Sequence, residues 1–365
     1  MIKIFRYFVL FLKAIITFII NFSFKQINKK NKYDYYKNFE KKNKNYFIAF
    51  IERASHPINF NYVEYLLYIK LISNNTDTII VVLPESDIKK IYNKDNIVSY
   101  SNQLRFDTIL KDLLEVIDDF NPSIFYCSRR IDALDFFNFP SNQKFPSDAK
   151  YEKINYKPFH VRELDKMIKE KSSRPLIRSP KAQTQLIESI ISNKYLNKKI
   201  ITISIRMMED LKDDINFRNS NMNTWLDVAD WIKNETDFHP MIIPDIKQLS
   251  SEEDFRGHDI FTLATYNLKI RVALYEKAYT NLSISSGFSE LLYQSKSNYL
   301  VFKFGDTRIE DSKPNSILQN EKTYGIKKNE QFHLAGESQK IFWGEETEKF
   351  EFIKDQVKKY CKIKS

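Results

Sequence analysis

The sequence predicts an α/β protein made of two doubly wound domains facing a cleft. Three observations lead there. Short continuous apolar runs, rich in β-branched and aromatic residues, recur along the chain: Tyr46–Glu52 (YFIAFIE), Thr78–Leu83 (TIIVVL) and Lys199–Ile205 (KIITISI). Runs of this kind read as parallel strands buried on both faces. Segments with helical spacing of apolar residues alternate with them, which is the βαβ pattern. At 365 residues the chain exceeds what one ordinary core supports, and two domains of roughly 100–200 residues each are expected.

The elements follow in order. After the strand at 46–52 comes a polar loop, Arg53–Pro57, and then a helix over Asn61–Ile72 (NYVEYLLYIKLI). Polar residues at 74–77 end that helix, and Thr78–Leu83 is the second strand, closed by Pro84. A helix is expected over Arg105–Phe120 and a strand over Ser123–Cys127. Residues 144–180, with four prolines, read as a domain junction holding a helix at Val161–Glu170. The second half repeats the logic. A strand at 199–205 and a polar loop lead to an amphipathic helix at Asn223–Asn234, capped by Asn223. Strands at His239–Ile243, Asn281–Ser285 and Asn298–Phe304 alternate with helices at Leu268–Tyr279 and Ser289–Ser295. A last helix at 345–360 has the length to cross back over the first domain.

Hydrophobic residues at 42% and aromatics at 15% supply material for two cores. The net charge of +10 calls for an anionic partner. Most of the excess lies in the lysine-dense run 25–44, which contains only Asp34 and Glu40 as acids. That distribution argues against a nucleic-acid-binding body and for a basic collar beside a membrane, or for a merely solvated run. Residues 2–24 form an apolar stretch about long enough to cross a bilayer, which takes ~20 residues. Lys3, Arg6 and Lys13 fall on one helical face, which suits a helix lying in the membrane interface; a single span and a signal peptide are the other readings. The denser lysines after the segment favour a body on the cytoplasmic face.

Cys127 and Cys361 are far apart, and the five His include no H-E-x-x-H. No disulfide framework, no zinc site and no other cofactor is expected. G-x-G-x-x-G, G-x-x-x-x-G-K-[ST] and G-x-S-x-G are all missing, which disfavours dehydrogenases, P-loop ATPases and α/β-hydrolases.

In open α/β sheets, ligands bind beyond the carboxyl ends of the strands, and three such ends are polar. Arg206, followed by Arg218 and Asn219, offers two guanidiniums suited to a diphosphate; pairing with Asp210, Asp213 or Asp214 is the alternative. Ser285-Ser286-Gly287-Phe288-Ser289-Glu290 takes a strand directly into a helix, where free N–H groups accept an anion and Gly287 permits close approach. Simple helix capping by a serine, with Glu290 in the first turn, is the blander reading. Glu52 and His56 follow the first strand and are candidates for the base that deprotonates an acceptor hydroxyl; an exposed loop polarity is the other reading.

The stretch NLSISSGFSELLYQSKSNYLVFKF resembles the donor-side strand, small-residue turn, helix and strand of the GT-B glycosyltransferases, including heptosyltransferase-like members. Arg206 in ISIRMMED is similar to the nucleotide-contacting Arg of fucosyltransferase-like members, although Ser204 stands where that group's motif has a His. The resemblance spans residues 199–304 and extends to the first half by topology. It implies two Rossmann-like domains: residues 45–180 on the acceptor side and 181–344 binding a nucleotide sugar, with a hydrophobic helix at 1–24, a basic linker at 25–44 and a terminal helix at 345–365. It implies a metal-independent glycosyltransferase acting on a cell-surface glycan or lipid-linked acceptor, and the absence of a strand-end D-x-D pair agrees. A nucleotide-sugar epimerase of the same fold and a non-catalytic glycan-assembly protein at the membrane are the rival readings.

Overall fold

The computed structural model describes residues 46–52, 60, 62–74, 76–83, 109–151, 154, 164, 177–196, 198–207, 219–246, 248, 255–305, 321 and 324–363. The expected helix and basic run at 1–44, and the expected helix at 161–170, lie outside the described residues, apart from Leu164. Among the described residues no helix is long and apolar enough to cross a membrane.

Among the described residues two parallel sheets carry the fold. The first has the order β3-β2-β1-β4, formed by β1 (Tyr46–Glu52), β2 (Asp77–Leu83), β3 (Ser123–Tyr126) and the two-residue β4 (Lys144–Phe145). The second has the order β6-β5-β7-β8-β9, formed by β5 (Lys199–Ser204), β6 (Phe238–Ile243), β7 (Thr280–Ile284), β8 (Tyr299–Phe304) and β9 (Gln339–Trp343). Phe47–Glu52 and Thr78–Leu83 are buried without alternation. A strand covered on both faces needs such an unbroken apolar run, and that is why these strands were readable.

Among the described residues the helices are α1 (Tyr62–Ser73), α2 (Lys111–Val116), α3 (Leu134–Phe137), α4 (Lys181–Tyr195), α5 (Met222–Glu235), α6 (Leu263–Tyr266), α7 (Leu268–Lys277), α8 (Ser289–Tyr293) and α9 (Phe350–Cys361). In α5, Trp225, Val228, Ala229 and Ile232 form the buried stripe. Its cap is Asn221, two residues before the expected Asn223: the Asn221 side chain accepts the Thr224 N–H at 3.3 Å. Asn223 instead faces Arg256.

One cluster of buried residues runs from β1, β2 and α1 through α2, α4, α7 and α8 to one face of the second sheet. A second cluster fills the other face, where Ile353, Val357 and Cys361 of α9 pack with Trp225 and Ile232 of α5. Helix α9 therefore covers the second sheet and does not cross to the first, because its apolar stripe matches the groove beside α5. Polar ties join the two halves as well: the Leu268 N–H donates to Asp112 at 3.0 Å, and Lys269 pairs with Glu115 at 2.8 Å. Burial pushes the Cys361 thiol up to about 12, and Cys127 is likewise a buried free cysteine.

Candidate functional site at the β5–β7 switch point

In the second sheet the chain leaves β5 to one side for β6 and returns to the other side for β7. The strand order thus reverses between β5 and β7, which pair directly with Ser204 opposite Ser283. A reversal of this kind opens a crevice at the carboxyl ends of the two strands, because their connections depart in opposite directions. Arg206 lies two residues beyond the end of β5 and Ser285 one residue beyond the end of β7, so two of the sequence-selected segments meet here.

The β5 end is held by its main chain. The Arg206 N–H donates to the Ser220 hydroxyl at 2.9 Å, and the Ser220 N–H donates to the Arg206 carbonyl at 2.9 Å. Asp245, after β6, accepts the Met207 N–H at 3.0 Å. The Arg206 residue is buried, and Arg218 lies outside the described residues. Asn219 is present on the returning strand of the loop, where its carbonyl accepts from the Lys303 ammonium at 3.1 Å. Lys303 also pairs with Glu348 at 2.8 Å, and the same carboxylate accepts from the Asn221 N–H and the Trp225 indole. This Lys303–Glu348 clasp fixes where the loop re-enters, and sequence spacing offered no sign of it.

The β7 end is a tight turn closed by Ser289. Its hydroxyl donates to the Ile284 carbonyl at 3.0 Å and accepts the Ser286 N–H at 3.1 Å. The Ser289 and Glu290 N–H groups donate to the Ser286 and Gly287 carbonyls. Three N–H groups that the sequence reading left free for an anion are thus engaged inside the turn, and α8 is only five residues long. Ser285 and Ser286 are half-buried, and Gly287 is exposed. Gly287 does not use a positive φ. A Cβ there would stand 2.6 Å from the Phe60 ring, so its missing side chain admits Phe60 from the first half of the chain. Phe60 also meets Phe288 edge-on at 4.9 Å.

Glu290 points away from that exposed turn into the junction between the sheets. Its carboxyl is buried and accepts from the Tyr324 hydroxyl. Desolvation raises it from 4.5 to about 7, against hydrogen bonds from Tyr324 and from Glu64 of α1 that hold it down. Two neighbouring carboxyls out of water disfavour a second negative charge, so the site favours the protonated form of Glu290. Nothing in the local sequence of either glutamate announces this pairing, because they lie on different halves.

Arg271 of α7 is a further buried charge near the switch point, and no sequence motif marks it. Its residue is 0% exposed. Its Nε donates to the Ala264 carbonyl at 2.7 Å and one terminal nitrogen donates to the Tyr275 hydroxyl at 3.2 Å. Tyr275 in turn bonds the Ser204 hydroxyl at 2.9 Å, at the last residue of β5. The guanidinium carbon sits 3.6 Å from the centre of the Phe288 ring. The available signal was its place between Ile270 and Val272, on a helix whose neighbouring residues are apolar.

On the first sheet, Glu52 ends β1 beside β4 and is buried. It pairs with the Arg130 guanidinium, which also donates to the Tyr151 carbonyl. His56 lies outside the described residues.

The fold and site define an α/β protein of parallel sheets with polar residues gathered at the switch point of its second sheet. No protein-family profile and no curated protein matches the sequence. Among solved structures the chain is similar to the ADP-heptose lps heptosyltransferase II of E. coli, with 8% identity, coverage of 86% of this chain and 98% of that one, and a TM-score of 0.49. It is also similar to the glycosyl transferase family 9 protein from Veillonella parvula, with 9% identity, 88% and 90% coverage and a TM-score of 0.46. A UDP co-structure of MnaA from S. aureus follows at 12% identity, 71% and 79% coverage and a TM-score of 0.32. One fold hosts many chemistries, and likeness of this order carries no activity across.

Proposed function

We propose that this chain is a metal-independent glycosyltransferase that moves a sugar from a nucleotide-diphosphate donor to a cell-surface glycan or lipid-linked saccharide. The observation that supports it is the meeting of Arg206 and the Ser285–Gly287 turn at the neighbouring ends of β5 and β7. A cation and a small-residue turn at a switch point suit an anionic ligand that must approach backbone closely. In this reading Arg206, Arg218 and Asn219 meet the diphosphate from one side. Ser285, Ser286 and Gly287 meet it from the other, and Ser289 and Glu290 shape that turn. Arginine then supplies the charge compensation that a metal supplies in other transferases.

The first sheet serves as the acceptor side and the second as the donor side. Glu52 already has its charge matched by Arg130, so His56 is the better base for the acceptor hydroxyl. The apolar segment and lysine run before β1 would hold the protein at the cytoplasmic face of a membrane, where a lipid-linked acceptor is presented.

The test is calorimetry with nucleoside diphosphates and their sugars, followed by mass spectrometry of donor and acceptor. Binding with sugar transfer supports the reading. Isomerised donor without acceptor would make the protein an epimerase, and absence of all nucleotide binding would leave an assembly role.

A further inference from the structure

We propose that Arg271 is the anion-binding cation of a diphosphate site beneath the β5–β7 switch point, covered by the Phe288 ring. The inference rests on the nucleotide-diphosphate reading above and adds a binding residue to it.

The argument starts from charge. Arg271 is completely buried, and among the described residues no carboxylate pairs with it. Its second terminal nitrogen is buried without a hydrogen-bond partner. Taking a guanidinium out of water is costly unless an opposite charge and full hydrogen bonding offset it. Here the offsets are one carbonyl, one hydroxyl and two aromatic rings, Phe288 and Tyr275, all of them neutral. A residue kept only for packing would be better served by Met or Leu, which fill similar volume without desolvating a charge. The cation therefore reads as one awaiting its counter-ion.

Its place says which counter-ion. Through Tyr275 the guanidinium is tied to Ser204 at the carboxyl end of β5. Through Phe288 it lies against the turn that leaves β7, one residue from the exposed Gly287. Both strand ends that frame the crevice thus touch its partners. Phe288 is only half-buried, and its ring packs on the guanidinium, whose carbon lies 3.6 Å from the ring centre. Displacing the ring would uncover the guanidinium, whose second terminal nitrogen has no hydrogen-bond partner. A planar fork of N–H donors suits the paired oxygens of a phosphate, and Arg206 across the crevice brings a second positive charge to a diphosphate.

The experiment uses the full chain with inorganic diphosphate, and with adenosine and uridine diphosphates, read by thermal shift and calorimetry. The wild type should gain stability with each ligand that binds. Arg271→Met should unfold at the same or a higher temperature without ligand, and should bind diphosphate roughly tenfold or more weakly. Phe288→Ala, which removes the cover, should bind at least as tightly as the wild type. Arg271→Met with a lowered midpoint and unchanged affinity would overturn the proposal and leave Arg271 a structural residue. If that variant does not fold, Arg271→Lys decides: it keeps the charge without the fork, and wild-type affinity in it counts against the proposal. Loss of binding in Arg206→Ala with full binding in Arg271→Met would sink this inference alone. Absence of binding by the wild type would sink the nucleotide reading with it.

Discussion

Glu290→Gln separates a carboxyl that holds the junction as a neutral acid from one that acts as an ion. In the folded protein burial raises Glu290 from 4.5 to about 7. A raised acid contributes stability that is fully present below pH 4.5 and is lost as pH climbs through 7, because the native state holds a proton that the unfolded chain has released. The interval corresponds to about 3 kcal/mol at full effect. It belongs to the Glu64–Glu290 pair rather than to one residue. Glutamine keeps the acceptor for the Tyr324 hydroxyl and cannot ionise. Urea denaturation of wild type and variant at pH 5, 6, 7, 8 and 8.5 measures the difference directly, and titrations elsewhere in the chain cancel between the two. At pH 5 the wild type should be equal or slightly more stable. By pH 8.5 the variant should have gained on it by about 1–3 kcal/mol, the upper value being the full linkage. A difference that stays constant across this range would refute the buried-acid assignment.

Other substitutions test the rest of the frame. Gly287→Val should drive a side chain into Phe60, 2.6 Å from the built Cβ, and cost about 1–3 kcal/mol by overpacking; a melting curve together with nucleotide affinity tells whether the turn also carries ligand. Arg206→Ala should weaken nucleotide-diphosphate binding by roughly 1.5–3 kcal/mol, and unchanged affinity in a folded variant would remove Arg206 from the site. Arg130→Ala should remove the ion-pair partner of the buried Glu52 carboxylate and cost about 1–3 kcal/mol, less than a fully buried pair would because Arg130 keeps some contact with water. Urea unfolding at pH 7 reads that loss, and an unchanged midpoint would mean that Glu52 is solvated in solution and open to act as a base.

The strands were legible because parallel strands covered on both faces need unbroken apolar sequence, as in IIVVL of β2 and IITIS of β5. Elements with a single narrow contact were not. Helix α4 buries only Ile187 and Tyr195 outright, and 181–195 therefore carries little apolar periodicity. The edge strand β9 mixes polar and apolar residues, and the Gln331 side chain completes its outer edge by bonding the Ile341 N–H and carbonyl. β4 is two residues long and paired with β1 only through Ile48 and Ala49, too short for any pattern to register.

The site divides along the same line. Arg206 and the Ser-Ser-Gly turn could be picked out because each follows its own strand, and strand ends are readable one at a time. Their meeting depends on β5 and β7 being neighbours, which no local signal encodes. The charges that the fold manages at greatest cost, Arg271 under Phe288 and Glu290 against Glu64, were invisible for a stronger reason. An arginine inside a helix and a glutamate in a first turn are ordinary in sequence, where both are assumed to reach water. Only packing removes the water, and only then does an ordinary residue become an unpaired cation or a protonated acid. Arg271 lies under Phe288, next to the Gly287 turn that Phe60 packs against, and Glu290 contacts Tyr324. Ligand binding at that turn would bear on the cation first, through Phe288, and on the Phe60 contact next. The same few side chains that close the crevice therefore also join the two sheets, and an anion that pairs with Arg271 would loosen the aromatic contact between them while relieving the buried charge.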